Sequence, residues 1–172
     1  MSVPVQIATV ADHVAGDVFT AAMWTSLEDN INQGIVEQVG VMVKRTTNQA
    51  VASASTVTLS FDTDVQDVYG MWALASPTQL VAPVGGWYDV GVQVTWAATS
   101  GGGGPFEVRF VQNGTVQVVA STGIQSDGTH ATQQQHSCKL YCSVGDVITI
   151  TVLQRTGASL NVTGATATLV RV

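Results

Sequence analysis

The sequence predicts an all-β, two-sheet sandwich behind a short helix-containing arm. Three observations predict it. The 172 residues include 29 valines and 21 threonines, β-branched types that suit a pleated surface. Seventeen glycines supply frequent turns. From Leu80 to Trp96, a Pro/Gly corner at Pro83, Gly85 and Gly86 opens into strict alternation. Tyr88, Val90, Val92, Val94 and Trp96 are apolar, whereas Asp89, Gly91, Gln93 and Thr95 are small or polar. A period of two means a strand with one face buried.

Residues 1–38 read as an arm and 39–172 as the domain. Val3 to Ile7 is extended. Thr20 caps a helix from Ala21 to about Asn32 that ends before Gly34. Met23, Leu27 and Ile31 fall at i, i+4 and i+8, with Trp24 beside this apolar stripe. Three turns are marginal alone, so the stripe is expected to dock on its own sandwich, on sister helices in an oligomer or, as a binding arm, on a partner protein.

The domain opens with a strand at Gly40–Lys44. Ser55 to Phe61 alternates through Val57, Leu59 and Phe61. A loop from Asp62 leads to a short strand at Tyr69–Trp72, and the long strand follows. Gly101–Gly104 reads as a flexible loop; Pro105 and a strand follow it, not the Lys-Ser and helix of a phosphate cradle. Asn113-Gly114 joins Phe106–Gln112 to Thr115–Ser121 as a hairpin. Gly123 to Gln135 is polar and reads as an exposed excursion. Strands are expected at His136–Cys142, at Val147–Gln154 after the Gly145-Asp146 turn, and at Gly164–Arg171. Eight to ten strands fall in the range of a jelly roll.

Charge and motifs narrow the function. Only 10% of residues are charged, against about 25% in an average domain, which predicts surface buried between copies. A net charge of −6 with six Lys and Arg argues against nucleic acid. No apolar run of membrane-spanning length occurs, so no membrane span is expected. The N-terminus has no basic n-region, and Asp12 and His13 stand where an h-region would lie. There is no G-x-S-x-G, H-E-x-x-H or P-loop, and the spacing of His13, His130 and His136 supports no triad. The expectation is a non-enzyme without cofactor. Cys138 and Cys142 sit four residues apart, roughly 13 Å along a strand. That is too far for a mutual disulfide, and three ligands strung along one strand with His136 cannot converge on one metal.

Two constellations remain. Asp62, Asp64 and Asp67 place three hard oxygen ligands in one short loop, a calcium candidate without the Gly and Glu of a calcium-binding helix-loop-helix. The alternative is a solvated turn whose carboxylates cap backbone N–H groups. Trp72, Trp87 and Trp96 are candidates for glycan contact. Trp96 shares the apolar face of its strand, whereas Trp87 is out of phase with it and faces a subunit interface or solvent.

The order of these features resembles the C1q/tumour-necrosis-factor-like jelly roll. The likeness lies in Phe61 with its polar loop and Tyr69-Gly70, then Leu80-x-Ala82-Pro83-x-x-Gly86-x-Tyr88, Asn113-Gly114, and Gly145-Asp146 before an Ile/Val strand. It spans 39–172. The resemblance implies a compact homotrimer, and some such domains carry calcium. The stretch Ala15 to Asn30, with Ala21-Ala22-Met23-Trp24-x-x-Leu27, is similar to a segment of small virion proteins of tailed bacteriophages. Together these imply a capsid decoration or head-fibre protein on the virion surface, its arm on the major capsid protein. The alternative is a tail-fibre module recognising a host glycan. No shaft repeat separates arm and domain, which favours a compact knob.

Overall fold

The computed structural model describes residues 39–99, 104–123 and 130–172. The expected arm helix, with Met23, Trp24, Leu27 and Ile31, lies outside the described residues, as do Gly101–Gly103. The described chain forms strands β1 (Gly40–Arg45), β2 (Gln49–Val51), β3 (Thr56–Thr58), β4 (Thr63–Asp67), β5 (Leu80–Val81) and β6 (Gly86–Trp96). It continues through β7 (Pro105–Gln112), β8 (Thr115–Gly123), β9 (Thr132–Cys142), β10 (Val147–Gln154) and β11 (Leu160–Arg171).

Two antiparallel sheets result. Sheet one has the order β4-β1-β11-β6-β9, with β2 also on β11; sheet two has the order β3-β10-β7-β8, with β5 also on β10. The all-β two-sheet jelly roll expected from the alternation is the fold observed. On β6, Tyr88, Val90, Val92, Val94 and Trp96 all point inward and are buried. They meet Phe106, Val108 and Phe110 of β7 and Ile148, Ile150 and Val152 of β10, buried on the inner face of sheet two. Burying each such side chain contributes roughly 1.5–3 kcal/mol. Trp96 and Phe106 join the sheets, their ring centroids 5.0 Å apart. The buried Gln134 completes this seam: its Oε1 accepts from Trp96 Nε1 at 3.0 Å and its Nε2 donates to Phe106 O at 3.3 Å.

Several boundaries differ from the sequence reading. Tyr69–Trp72 is not a strand; the strand of that region is Thr63–Asp67, paired with β1. Gly70 takes a φ of 63°, and the Asp67 carboxylate accepts from the backbone N–H groups of Met71 and Trp72 at 2.8 Å each. Those donors are then lost to any ladder. The strand expected over Ser55–Phe61 is ladder-paired only at Thr56–Thr58, although Leu59 and Phe61 are buried as the alternation requires. The polar excursion ends earlier than expected, because β9 starts at Thr132; Gln133 and Gln135 face outward while Gln134 is held inside. β11 starts at Leu160, carried past Gly164 by a bulge between Val162 and Gly164.

The open edges of the sandwich differ. β4, at one end of sheet one, is five residues long and carries Asp64 and Asp67. β9 and β8 end the two sheets on the other side, and they touch where Thr122 Oγ1 and His136 Nε2 lie 3.4 Å apart. β8 runs nine residues without a charged side chain, and β9 eleven with Lys139. Natural edges are usually blunted by charge, proline or shortness; β8 uses none of the three.

Candidate functional site

The outer face of sheet one is the surface whose side chains the fold leaves unused. Because β6 buries its even-numbered side chains, Trp87, Asp89, Gly91, Gln93 and Thr95 must point away from the core. β9 pairs with β6 so that Trp87 stands opposite Tyr141, Asp89 opposite Lys139, Gly91 opposite Ser137, and Gln93 opposite Gln135. On the other side, Val170, Thr168 and Thr166 of β11 stand opposite Asp89, Gly91 and Gln93.

Three zones follow. At one end, Trp87 and Tyr141 are 55% and 57% exposed, with centroids 5.6 Å apart at an interplanar angle of 76°. Such an edge-to-face pair holds both rings firmly yet leaves most of their area in water. Lys139 Nζ and Asp89 Oδ1 come next at 3.8 Å, both well exposed, so the pair contributes little stability. The centre is smooth. A Cβ on Gly91 would lie 2.7 Å from Thr168 Oγ1, so the threonine hydroxyl occupies the space a larger residue would need. The far end is amide-rich, with Gln93 Nε2 donating to Gln133 Oε1 at 3.5 Å. Large exposed aromatics beside small, mostly uncharged side chains suit a covered surface.

The other tryptophans take different places. Trp96 is core, as its phase predicts. Trp72 is half-buried, and its Nε1 donates to Pro77 O at 3.3 Å. Among the described tryptophans, Trp87 is the one with a broad exposed ring. Its partner Tyr141 was not singled out in the sequence, although it is out of phase with the buried Leu140 and Cys142 of its strand.

Asp62 and Asp67 serve separate backbone segments. Asp62 accepts from the N–H and hydroxyl groups of both Thr46 and Thr47 and from the Thr63 hydroxyl. Burial raises its pKa, but the bonds from Thr47, Thr46 and Thr63 outweigh that and hold the carboxyl well below the usual range. Asp67 caps Met71 and Trp72, and Asp64 stands on β4 opposite Val43. Among the described residues, no three His, Cys, Asp or Glu side chains gather as a metal site. Cys138 and Cys142 are both free thiols on the inward side of β9. Burial, with smaller effects from Asp89 and Cys142, pushes the Cys138 thiol up to about 11, which makes it a poor nucleophile.

No family model matches this sequence, and no curated protein matches it. The fold does have solved relatives in shape. The globular domain of zebrafish complement 1qA protein superposes with a TM-score of 0.54 at 12% identity, covering 77% of this chain and 96% of that one. At that identity the likeness speaks for the fold alone. The described residues share the two-sheet jelly-roll fold with it.

Proposed function

We propose that this chain is a structural virion protein: a homotrimeric capsid decoration, or head-fibre-like, knob whose residues 1–38 bind the major capsid lattice. The observation that supports assembly best is the exposed Trp87–Tyr141 pair on the mostly uncharged outer face of sheet one. Two large rings in water are unfavourable, and a second copy laid on that face removes them from it. The virion setting rests on the sequence of Ala15 to Asn30 and on the apolar stripe of Met23, Leu27 and Ile31 beside Trp24. Three copies present three arms, and avidity multiplies their individual affinities. The role is binding, with no catalytic step.

A second reading is a tail-fibre module that recognises a host glycan. The same pair favours it, because exposed Trp and Tyr rings stack on sugars.

Sedimentation and electron microscopy of particles test both. The intact chain should sediment as a trimer and occupy the capsid surface. Trp87→Glu should dissociate it to folded monomers. Deleting residues 1–38 should leave a trimer that no longer decorates particles. A Trp87→Glu protein that remains trimeric and loses cell binding would support the glycan reading. A wild-type chain that is monomeric at micromolar concentration would refute the proposal.

A further inference from the structure

Of the five asparagines in the sequence, Asn113 alone precedes a glycine. The pair closes the β7–β8 hairpin between Gln112 and Thr115, which stand opposite each other. Asn113 has a φ of 50° and Gly114 a φ of 80°, the two left-handed residues of a type I′ turn. Asn113 is exposed, and the space where a Gly114 Cβ would stand is open. Asparagine before glycine carries a reaction of its own. The Gly114 nitrogen can attack Asn113 Cγ, because glycine has no side chain to screen it. The N–Cγ bond forms, the Cγ–Nδ2 bond breaks, and the Gly114 amide proton departs with Nδ2 as ammonia. Water then opens the five-membered imide. Cleavage at Cγ gives aspartate. Cleavage at the main-chain carbonyl gives isoaspartate, with one extra carbon in the backbone.

The fold holds both ends of the reacting amide. Asn113 Nδ2 donates to Asp146 Oδ1 at 2.8 Å, and Asn113 Oδ1 accepts from the Val147 N–H at 2.9 Å. A carboxylate only accepts and an N–H only donates, so these partners fix which way the amide points. The Asn113 backbone N–H also donates to Val147 O at 2.9 Å. Asp146 is itself anchored, its Oδ2 accepting from Gln112 Nε2 and from the Ser143 N–H at 2.8 Å each. The bond from Asn113 is the largest influence holding the Asp146 carboxyl below the usual carboxylate range. Ammonia cannot leave while Nδ2 is bound to Asp146. Closing the imide also turns the Asn113–Gly114 backbone out of the geometry that joins β7 to β8.

The same contact makes the product destabilising. Deamidation replaces Nδ2 with an oxygen, so two carboxylate oxygens meet where a donor and an acceptor stood 2.8 Å apart. Asp-Gly suits a type I′ turn as Asn-Gly does, so the loss arises at Asp146 and not in the turn itself. We propose that Asn113 is a self-modification site kept unreacted by Asp146, and that its deamidation parts the β7–β8 hairpin from the β9–β10 turn.

The test is ageing of the full chain in mildly alkaline buffer, with amide-to-acid conversion at Asn113 read by peptide mapping and mass spectrometry. The folded chain should convert roughly tenfold or more slowly than the same chain in urea, because release from Asp146 breaks a charge-assisted hydrogen bond. Asp146→Ala, shown by circular dichroism to be folded, should convert roughly tenfold faster than wild type. Asn113→Asp, which mimics the product, should lower the urea midpoint at neutral pH. Adding Asp146→Asn to that chain should restore most of the loss, because a donor again faces an acceptor. This exchange of amide and carboxylate decides alone if Asp146→Ala does not fold. Equal conversion in the folded and urea-unfolded chains, or in wild type and folded Asp146→Ala, would overturn the protection by Asp146. An Asn113→Asp protein as stable as wild type would overturn the consequence, and so would a loss that Asp146→Asn leaves uncorrected.

Discussion

Asp62 ties the Thr46–Thr47 turn to the start of β4 through a carboxylate that accepts from five donors on three threonines. These bonds are stronger to the ionised form, so folding holds the proton off. The folded pKa is depressed, so the stabilisation is complete above the unfolded value of about 4 and is lost as pH falls through the folded one. Asp146 acts in the same direction through Asn113, Ser143 and Gln112. Asp62→Asn should therefore cost roughly 1–3 kcal/mol in urea unfolding at about pH 6. The gap between variant and wild type should narrow at about pH 2–3. A gap that is constant with pH would mean that the charge contributes nothing. Spacing led the sequence reading to weigh Asp62, Asp64 and Asp67 as one ligand group. Spacing alone does not reveal which backbone groups each carboxylate meets, and that depends on turns closed by residues such as Thr46 and Met71.

Strands owe their positions to close approaches as well as to alternation. Gly104 leads into β7 against the turn after β10, and a Cβ there would run into the carbonyl of Arg155. Gly104→Ala should force β7 and that turn apart and cost about 1–3 kcal/mol, measured as a lower urea midpoint at unchanged slope. An unchanged midpoint would mean that the turn yields freely. β6 was legible because five inward side chains in strict phase, with a large aromatic at each end, leave one orientation for the strand. β4 was not, because Val65 and Val68 are exposed and no buried face marks the strand. The start of β9 was hidden for a different reason. Gln134 looks like a loop residue until Trp96 and the Phe106 carbonyl are placed around it. The candidate face shows the same limit. The parity of Trp87 was visible along one strand, but its contact with Tyr141 depends on a register between residues more than fifty positions apart.

At the scale of the whole domain, the two sheets, the inner faces and the turn at Asn113-Gly114 agree with one another, as in a sequence whose local choices support one fold. What local patterning does not encode is how the outside of the sandwich is covered, because that depends on other molecules. The uncharged edge of β8 makes the point kinetically. A newly made chain can be captured in two ways: by another folded copy, or by a strand of an unfolded neighbour adding to β8. Both need encounters, so concentration speeds both, and the outcome depends on how quickly each chain finishes folding. Val116 is 46% exposed on β8. Val116→Lys should suppress thioflavin-positive aggregates on dilution from urea and change native stability by no more than about 0.5 kcal/mol. Equal aggregation in both proteins would place the vulnerable segment elsewhere. If β8 is the vulnerable segment, the yield of this protein in a cell is set by a race during synthesis: slower translation, which spaces nascent chains in time, should raise the yield even though the finished fold is unchanged.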